Sequence, residues 1–276
     1  MAEPEPGSPT SRLSAAEIFD RVATGAEDEV GRPAHNLLFS AVAGGLTMGV
    51  SGIAVAALSD ATGPSHEALV FLGYPLGFVA VILGRQQLFT ENTLFPVALA
   101  LRERAMLGPT ARLWGLVLAG NVVGALLFSL LVVRTPALPT GVRDELVKLG
   151  QGVTARDMWT VLWTGVVAGW LIALVAWLVT ACTDTSAQVL VVLLITYVVG
   201  LGHLAHSVAG SAEALSALAG GGISAADFVR WFVAAVVGNA IGGVGMVALL
   251  NYGQVHGTAE AQAHIDSTLE DRETVS

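Results

Sequence analysis

Two short polar segments interrupt long apolar stretches of the sequence, and they carry the side chains that could do chemistry. The first, GRQQLFTENT, runs from residue 84 to 93, and the second, GLGHLAHSVAGSAE, runs from 200 to 213. Their hydroxyl, carboxylate and imidazole groups can bind ions or transfer protons. A charge at the centre of a bilayer costs about 2.5 to 3.5 kcal/mol on insertion scales, so such groups must face a protein interior or a cavity. The sequence therefore predicts that both segments line a pore.

The charged groups of these segments leave alternatives open. Glu91 either lines the pore and sets its charge selectivity or forms a buried ion pair with Arg85, six residues earlier. Glu213 either lines the pore or makes a polar contact near a helix end or a subunit interface. Arg85 is expected to be structural, because an unpaired guanidinium facing lipid would be costly.

Two histidines stand three residues apart in the second segment. An imidazole titrates near neutrality and can donate a proton, and the place of His206 in an interrupted span favours a pore role over a structural hydrogen bond between helices. His203 would make an i, i+3 metal pair with it, but no other ligand completes a site, and we predict no metal and no cofactor. No pair of nucleophile and base is apparent, so we predict no catalytic residue. A membrane enzyme or a receptor is the alternative of another class.

The composition indicates which elements must position these groups. Hydrophobic residues make up 54% of the 276 residues and charged residues only 13%, whereas soluble domains carry about 25% charged residues. Apolar spans of roughly 20 residues or more can cross about 30 Å of hydrocarbon. They are predicted at 37–58, 69–101, 113–133, 158–180, 189–219 and 228–250. The stretch between the third and fourth spans is expected to be a loop, and the second and fifth spans, which hold the polar segments, are expected to be broken at the midplane.

An internal repeat relates the two halves of the chain. The third span contains AGNVVGALLFSLLV from Ala119, and the sixth contains VGNAIGGVGMVALL from Val237. An offset of three crossings makes the second copy enter from the opposite face, which is an inverted-topology repeat. Asn121 and Asn239 are expected to be structural, as interhelical hydrogen-bonding residues. The predicted fold is an all-α membrane protein with six transmembrane helices in an inverted 3+3 repeat.

The tails differ from this body. The net charge is −9, and most of the acidic excess lies in residues 1–36 and 251–276, so no basic surface for nucleic acid is present. Residues 15–32 alternate apolar and charged positions, which predicts an amphipathic helix along the membrane face. The second loop holds Arg102, Arg104 and Arg112, which indicates a cytoplasmic loop and cytoplasmic termini, although the third loop also carries basic residues. We expect three regions: the N-terminal tail 1–36, the channel domain 37–250 and the C-terminal tail 251–276.

Several motifs resemble the formate/nitrite transporter family of pentameric membrane proteins. LFTENT at 88–93 looks like the family's first break, HSVA at 206–209 like its second, and GVVAGWLIALVAW at 165–177 is similar to its fourth helix. The resemblance implies an aquaporin-like protomer with one pore per subunit and a homopentamer in the prokaryotic inner membrane. It implies, together with the polar segments, the following constriction residues: Phe89, Thr90, Glu91, Asn92, His206 and Ser207.

The chain departs from the family's pattern near this constriction. Val153 occupies the position of the family's vestibule lysine, with Lys148 and Arg156 as the nearest cations. Val153, His203 and Glu213 are therefore further candidates for lining the pore or setting selectivity. A weak-acid anion such as formate or nitrite, alone or with a proton in symport, follows from the resemblance. A small cation such as ammonium or potassium follows from the missing lysine and from the added acids Glu91 and Glu213.

Overall fold

A computed structural model describes residues 13–102 and 106–255, which fold almost entirely into α-helices. The helices are α1 (Ala15–Gly31), α2 (Ala34–Thr62), α3 (Glu67–Val70), α4 (Pro75–Leu83), α5 (Phe95–Arg102), α6 (Leu107–Arg134), α7 (Thr140–Ala155), α8 (Met158–Ala181), α9 (Thr185–Leu201), α10 (Ala209–Ala219) and α11 (Ala225–Gly243). Short 3-10 turns lie at Pro64–His66, Phe71–Gly73 and Glu91–Thr93, and a π-helical turn lies at Val244–Leu249. No β-strand occurs in the described residues, so the predicted all-α class is confirmed. Arg104 and most of the predicted C-terminal tail lie outside the described residues.

Within residues 13–102 and 106–255, four helices are long and apolar enough to cross a membrane: α2, α6, α8 and α11. Two shorter apolar helical segments, Glu67–Leu83 and Thr185–Leu201, belong to the second and fifth predicted spans. Many large apolar side chains on the long helices are exposed, among them Leu131, Trp163 and Val233. A surface of this kind suits lipid or a neighbouring apolar surface rather than water.

The predicted amphipathic helix is present as α1. It begins with a capping box in which Ser14 and Glu17 exchange hydrogen bonds. The backbone N–H and the hydroxyl of Ser14 both donate to the Glu17 carboxylate and lower its pKa. The apolar face, with Val22 and Ala26 fully buried, packs against residues of α5 and α8 such as Ala98. Residues of α5 and α8 therefore cover the apolar face of α1, and the position of this helix along the membrane face stays a prediction.

Helix α7 lies where the sequence was expected to form a loop. Its buried residues Val142, Leu146, Gly150 and Thr154 recur every four positions and form one face. This face packs against α10 and α2. The expectation of a loop is wrong because exposed charged residues between these positions obscure a short apolar period.

Glycines bring the long helices together in two pairs, α2 with α6 and α8 with α11. A Cβ atom added to Gly45 would lie 2.0 Å from the Asn121 carbonyl oxygen, and one added to Gly169 would lie 2.2 Å from the Asn239 carbonyl oxygen. Real Cβ atoms do not approach backbone so closely, so only glycine fits at either crossing. The close approach holds each asparagine beside the neighbouring helix of its pair.

The second and fifth spans are broken in the same way. Helix α4 ends at Leu83 and α9 ends at Leu201, and each is followed by a residue in the left-handed region, Arg85 at φ 53° and His203 at φ 48°. In both turns the residue directly after the left-handed one donates its backbone N–H to a carbonyl oxygen of the preceding helix. Gln86 N donates to the Val81 oxygen at 3.0 Å. Leu204 N donates to the Val199 oxygen, also at 3.0 Å. These Schellman-type ends stop each helix and turn the chain.

Candidate pore site

The two breaks meet at one polar contact between buried side chains. Thr90 Oγ1 lies 2.9 Å from His206 Nε2, and the two residues are 0% and 1% exposed. Thr90 lies inside the first break, between α4 and α5, and His206 lies inside the second, between α9 and α10, so residues far apart in the sequence are joined. Phe89, the residue before Thr90, is also buried, at 2% exposed.

The hydrogen bonds of His206 define its tautomer. The Ala209 backbone N–H donates to His206 Nδ1 at 3.0 Å. A backbone N–H can only donate, so a neutral His206 carries its own proton on Nε2 and donates it to Thr90 Oγ1. The Thr90 hydroxyl proton then has no acceptor among the described residues. The Thr90–His206 contact therefore leaves the Thr90 hydroxyl proton available as a hydrogen-bond donor.

Asn121 holds the first break in place from α6. Its side-chain oxygen accepts a hydrogen bond from the Phe89 backbone N–H at 2.9 Å. Its amide nitrogen donates to the carbonyl oxygens of Ala41 and Gln87, each at 2.8 Å. One amide thus satisfies the unpaired backbone of the break and ties it to α2.

Asn239 repeats this arrangement in the second half. Its side-chain oxygen accepts from the Ser207 backbone N–H at 2.8 Å. Its amide nitrogen donates to the carbonyl oxygens of Gly165 at 2.9 Å and Ala205 at 2.8 Å. Sequence reasoning expected interhelical bonds from both asparagines and missed the bonds to the breaks.

Aromatic side chains that the sequence analysis did not single out surround the contact. The Phe78 ring meets the His206 ring edge-on, with centroids 5.0 Å apart. The Trp114 ring packs against Phe89 at 5.6 Å, and Trp114 Nε1 donates to the Asn92 carbonyl oxygen at 2.7 Å. Aromatic residues are common in apolar spans, so no signal in the sequence distinguishes these from packing residues.

Two predicted constriction residues have other surroundings. The Asn92 amide nitrogen donates to Gln87 Oε1 at 2.8 Å and to the Leu88 carbonyl oxygen at 3.1 Å, so this side chain braces the first break. Ser207 Oγ is buried and has no hydrogen-bond partner within the described part of the chain. Its hydroxyl is free to pair with a solute or a water molecule.

A first cavity, of about 440 Å³, borders the first break. Arg85, Glu91 and Asn92 line it together with Arg21 and Glu29. Arg85 is exposed there and makes no ion pair with Glu91 or any other described acid. The alternative of a buried ion pair between Glu91 and Arg85 is therefore wrong, because α4 ends before Arg85 and the chain turns at the cavity wall. The structural role of Arg85 stays a prediction.

A second cavity, of about 430 Å³, borders the second break and is lined by His206, His203, Glu213 and Val153. Lys148, at 66% side-chain exposure, and Arg156 line it as well, so cations remain beside the valine that replaces the family's lysine. The two acids flagged in the sequence, Glu91 and Glu213, therefore belong to different cavities.

His203 lies at the edge of the second cavity and not at the constriction. Its Nε2 lies 2.6 Å from Glu67 Oε1, and both side chains are 55% exposed. The Arg156 guanidinium donates to the His203 carbonyl oxygen. No group of three metal-ligating side chains occurs among the residues the structure describes. His203 therefore makes a contact at the edge of the cavity, whereas His206 makes the buried contact with Thr90.

Helix α9 gives the relation between the two cavities. Thr185 and Gln188, near its start, line the first cavity, and Val199 and Gly200, near its end, line the second. At a rise of 1.5 Å per residue, Gln188 and Val199 are about 16 Å apart along the helix. The cavities therefore lie towards opposite ends of the protein, with the Thr90–His206 contact between them.

Known proteins share this architecture and sequence. A family model described as formate/nitrite transporter matches residues 16–253. The inner membrane protein YfdC of Escherichia coli (strain K12) is 35% identical over 245 residues, which are 86% of this chain and 78% of that protein. The uncharacterized transporter YrhG of Bacillus subtilis (strain 168) is 29% identical over 189 residues, 66% of this chain and 70% of that protein.

Two solved structures have a similar fold. A structure described as an FNT family ion channel matches with a TM-score of 0.78 at 18% sequence identity, over 85% of this chain and 97% of that one. A structure described as a pentameric formate channel with formate bound matches with a TM-score of 0.69, also at 18% identity, over 79% of this chain and 97% of that one.

Proposed function

The chain belongs to the formate/nitrite transporter family, and we propose that it passes a small monovalent solute through a pore that is narrowest at Thr90 and His206. As a member of this family it is a membrane transporter or channel and not an enzyme. One observation carries the proposal: Thr90 and His206 form a buried hydrogen bond of 2.9 Å, Glu91 next to Thr90 lines the first cavity, and His206 lines the second.

The proposed topology has six crossings in an inverted 3+3 repeat, with both termini in the cytoplasm. The crossings are α2, the broken span from α3 to α5, α6, α8, the broken span of α9 and α10, and α11. The matched bonds of Asn121 and Asn239 support a repeat, because each asparagine bonds the break of its own half. Residues 1–36 and 251–276 would be the cytoplasmic tails.

A weak-acid anion such as formate or nitrite is the first candidate solute. The Thr90 hydroxyl proton can be donated to an oxygen atom of such an anion. The similarity in fold to a formate channel with formate bound supports the same class of solute. Phe78 and Phe89 make the surroundings apolar, where a neutral acid costs far less to desolvate than its anion. Proton-coupled passage of the neutral acid therefore fits the site.

Cations at the second cavity support the entry of an anion despite Val153. Lys148 and Arg156 line this cavity beside Glu145 and Glu213, and positive charges at a cavity wall can attract an anion towards it. The valine removes one positive charge without leaving the cavity free of cations.

A small cation is the second candidate solute, and Glu91 favours it. This carboxylate lines the first cavity and has no cationic partner among the described residues. A carboxylate beside a narrow passage repels anions and attracts cations, more strongly where the surroundings are of low dielectric.

Flux in proteoliposomes tests both candidates. Formate, nitrite, ammonium and potassium are compared in vesicles with the unmodified protein and with Glu91→Gln. Formate or nitrite flux that rises in the variant supports the anion pathway, and ammonium or potassium flux that falls supports the cation pathway. Absence of flux for all four solutes would refute transport of this class.

We also propose a homopentamer in a bacterial inner membrane with one pore per subunit. The fold likeness to a pentameric channel and the exposed apolar outer helices support this assembly. Mass measurement of the purified protein in nanodiscs tests it, and a monomer or dimer would contradict it.

A further inference from the structure

Glu213 is a carboxylate without a partner at the wall of the second cavity. Its residue is only 6% exposed on the half-helix α10. No hydrogen bond or ion pair of its side chain occurs within residues 13–102 and 106–255. The other acid of this cavity, Glu145, accepts hydrogen bonds from Ser59 at 2.8 Å and Lys148 at 2.6 Å. A buried carboxylate is expensive unless a ligand or partner compensates it.

The cations of this cavity are occupied elsewhere. Lys148 Nζ lies 2.6 Å from Glu145 Oε1, and the Arg156 guanidinium donates to the His203 carbonyl oxygen. Neither lies within 4.0 Å of the Glu213 carboxylate, so no cation of the described chain neutralises it.

Close packing fixes the backbone that carries Glu213. A Cβ atom on Gly150 of α7 would lie 2.1 Å from the Glu213 carbonyl oxygen, and one on Gly52 of α2 would lie 3.9 Å from its Cγ atom. Helices α7 and α2 therefore enclose α10 at this point. The backbone position of Glu213 at the cavity wall is therefore fixed.

Aromatic rings complete the surroundings of the carboxylate. Tyr74 and Trp231, 6% and 2% exposed, line the same cavity as Glu213, as does Phe71. The Tyr74 hydroxyl has no hydrogen-bond partner among the described residues. A carboxylate that lines one cavity with a hydroxyl oxygen and aromatic rings has the chemistry that binds a small cation, through charge, oxygen coordination and cation–π attraction.

We propose that Glu213 and Tyr74 form a binding site for one small monovalent cation of the ammonium class, on the His206 side of the pore. The inference rests on the proposed pore only where it concerns the effect of the bound cation on a passing solute. An occupied site compensates the Glu213 charge directly beside the constriction. Glu213 then does not repel a weak-acid anion that enters this cavity, whereas it does repel the anion when the site is empty.

Cation binding to the purified protein in detergent tests the site without transport. Two measurements compare the unmodified protein with Glu213→Gln. The first is calorimetric titration with ammonium chloride. The second is the unfolding temperature, followed by tryptophan fluorescence, in ammonium, potassium, sodium and choline chloride at equal ionic strength. We expect ammonium to raise the unfolding temperature relative to choline. We expect Glu213→Gln to weaken ammonium binding by about thirtyfold or more, since removing one partner of a buried charged contact costs at least about 2 kcal/mol and about 1.4 kcal/mol is tenfold.

Two further variants sharpen the result. Tyr74→Phe keeps the ring and removes the hydroxyl, and we expect it to weaken ammonium binding by less than Glu213→Gln does. Glu17→Gln makes the same charge change on α1, preserves its capping box and should bind ammonium as the unmodified protein does.

The site is refuted if the ammonium salt stabilises the protein no more than choline does, or if Glu213→Gln binds ammonium unchanged. Formate flux with no ammonium binding would remove the cation site and leave the pore. Ammonium binding with no flux of any solute would leave the site and remove the proposed function.

Discussion

The two broken spans have the same backbone framework and different side-chain chemistry. In each half an asparagine on a long helix accepts a hydrogen bond from the break, at 2.9 Å from Phe89 and at 2.8 Å from Ser207. In each half a left-handed residue ends the first helix segment. Yet aligning the halves on these asparagines pairs Thr90 with Val208 and His206 with Leu88.

This mismatch makes the narrowest point asymmetric. Thr90 and His206 bond each other across the proposed pore, whereas their counterparts Val208 and Leu88 are apolar, buried and members of the hydrophobic core. The framework that positions the breaks is thus repeated, but the polar contact occurs once. Backbone support and solute chemistry are therefore separable, and substitutions can test each one in both halves.

The largest effect is expected where the framework is tightest. Gly45→Val and Gly169→Val would drive a side chain into the backbone of the partner helix, where even a Cβ atom lies 2.0 or 2.2 Å away. We expect each to cost about 3 kcal/mol or more and to abolish monodisperse protein in detergent, measured by size-exclusion chromatography. Gly115→Val, at a helical position with open space, is the matched control. If only one of the two variants folds normally, the frameworks of the two halves are not equivalent.

A smaller loss is expected when the anchors are removed. Asn121→Leu and Asn239→Leu each delete three hydrogen bonds and leave buried backbone groups unpaired. Each unpaired group costs about 1 to 3 kcal/mol, so both variants should unfold at clearly lower temperature and by similar amounts. Thermal unfolding in the same detergent measures this. A large loss for one and none for the other would contradict equal anchoring.

The polar contact should respond differently from its apolar counterpart. Thr90→Val removes the only hydroxyl at the contact, and we expect formate flux to fall about fivefold, which corresponds to one hydrogen bond of about 1 kcal/mol. Val208→Thr adds a hydroxyl at the equivalent position of the other half, and we expect little change in flux. Proteoliposome flux at matched protein density measures both. Equal effects would show that the pore chemistry is also repeated.

The smallest effect concerns the left-handed turns. Arg85→Gly should raise the free energy of unfolding by up to about 1 kcal/mol, because glycine adopts a positive φ without strain. His203→Gly gains the same relief but loses the contact with Glu67, an exposed pair worth about 0.2 to 1 kcal/mol, so the net change should be smaller. Arg85→Ala keeps the strain and serves as the control. A destabilised Arg85→Gly would contradict the strain argument.

The sequence predicts the framework better than the site. Apolar spans and the repeated Gly-Asn motif predict the all-α membrane class and the two broken spans, because lipid demands long apolar segments and close packing demands glycine. The contact of Thr90 with His206 joins two halves, and local pattern indicates only that both lie at breaks. The division of Glu91 and Glu213 between two cavities depends on which way each half-helix runs, and spacing along the chain does not reveal it.

The asparagine anchors also affect the thermodynamics of permeation. Because Asn121 and Asn239 hold both breaks with direct hydrogen bonds, a solute encounters groups that are already in place and loses little free energy to ordering them. Dehydration of the solute then becomes the main barrier. Such a passage discriminates by the ease with which a molecule sheds its water, and small, weakly hydrated species cross it fastest.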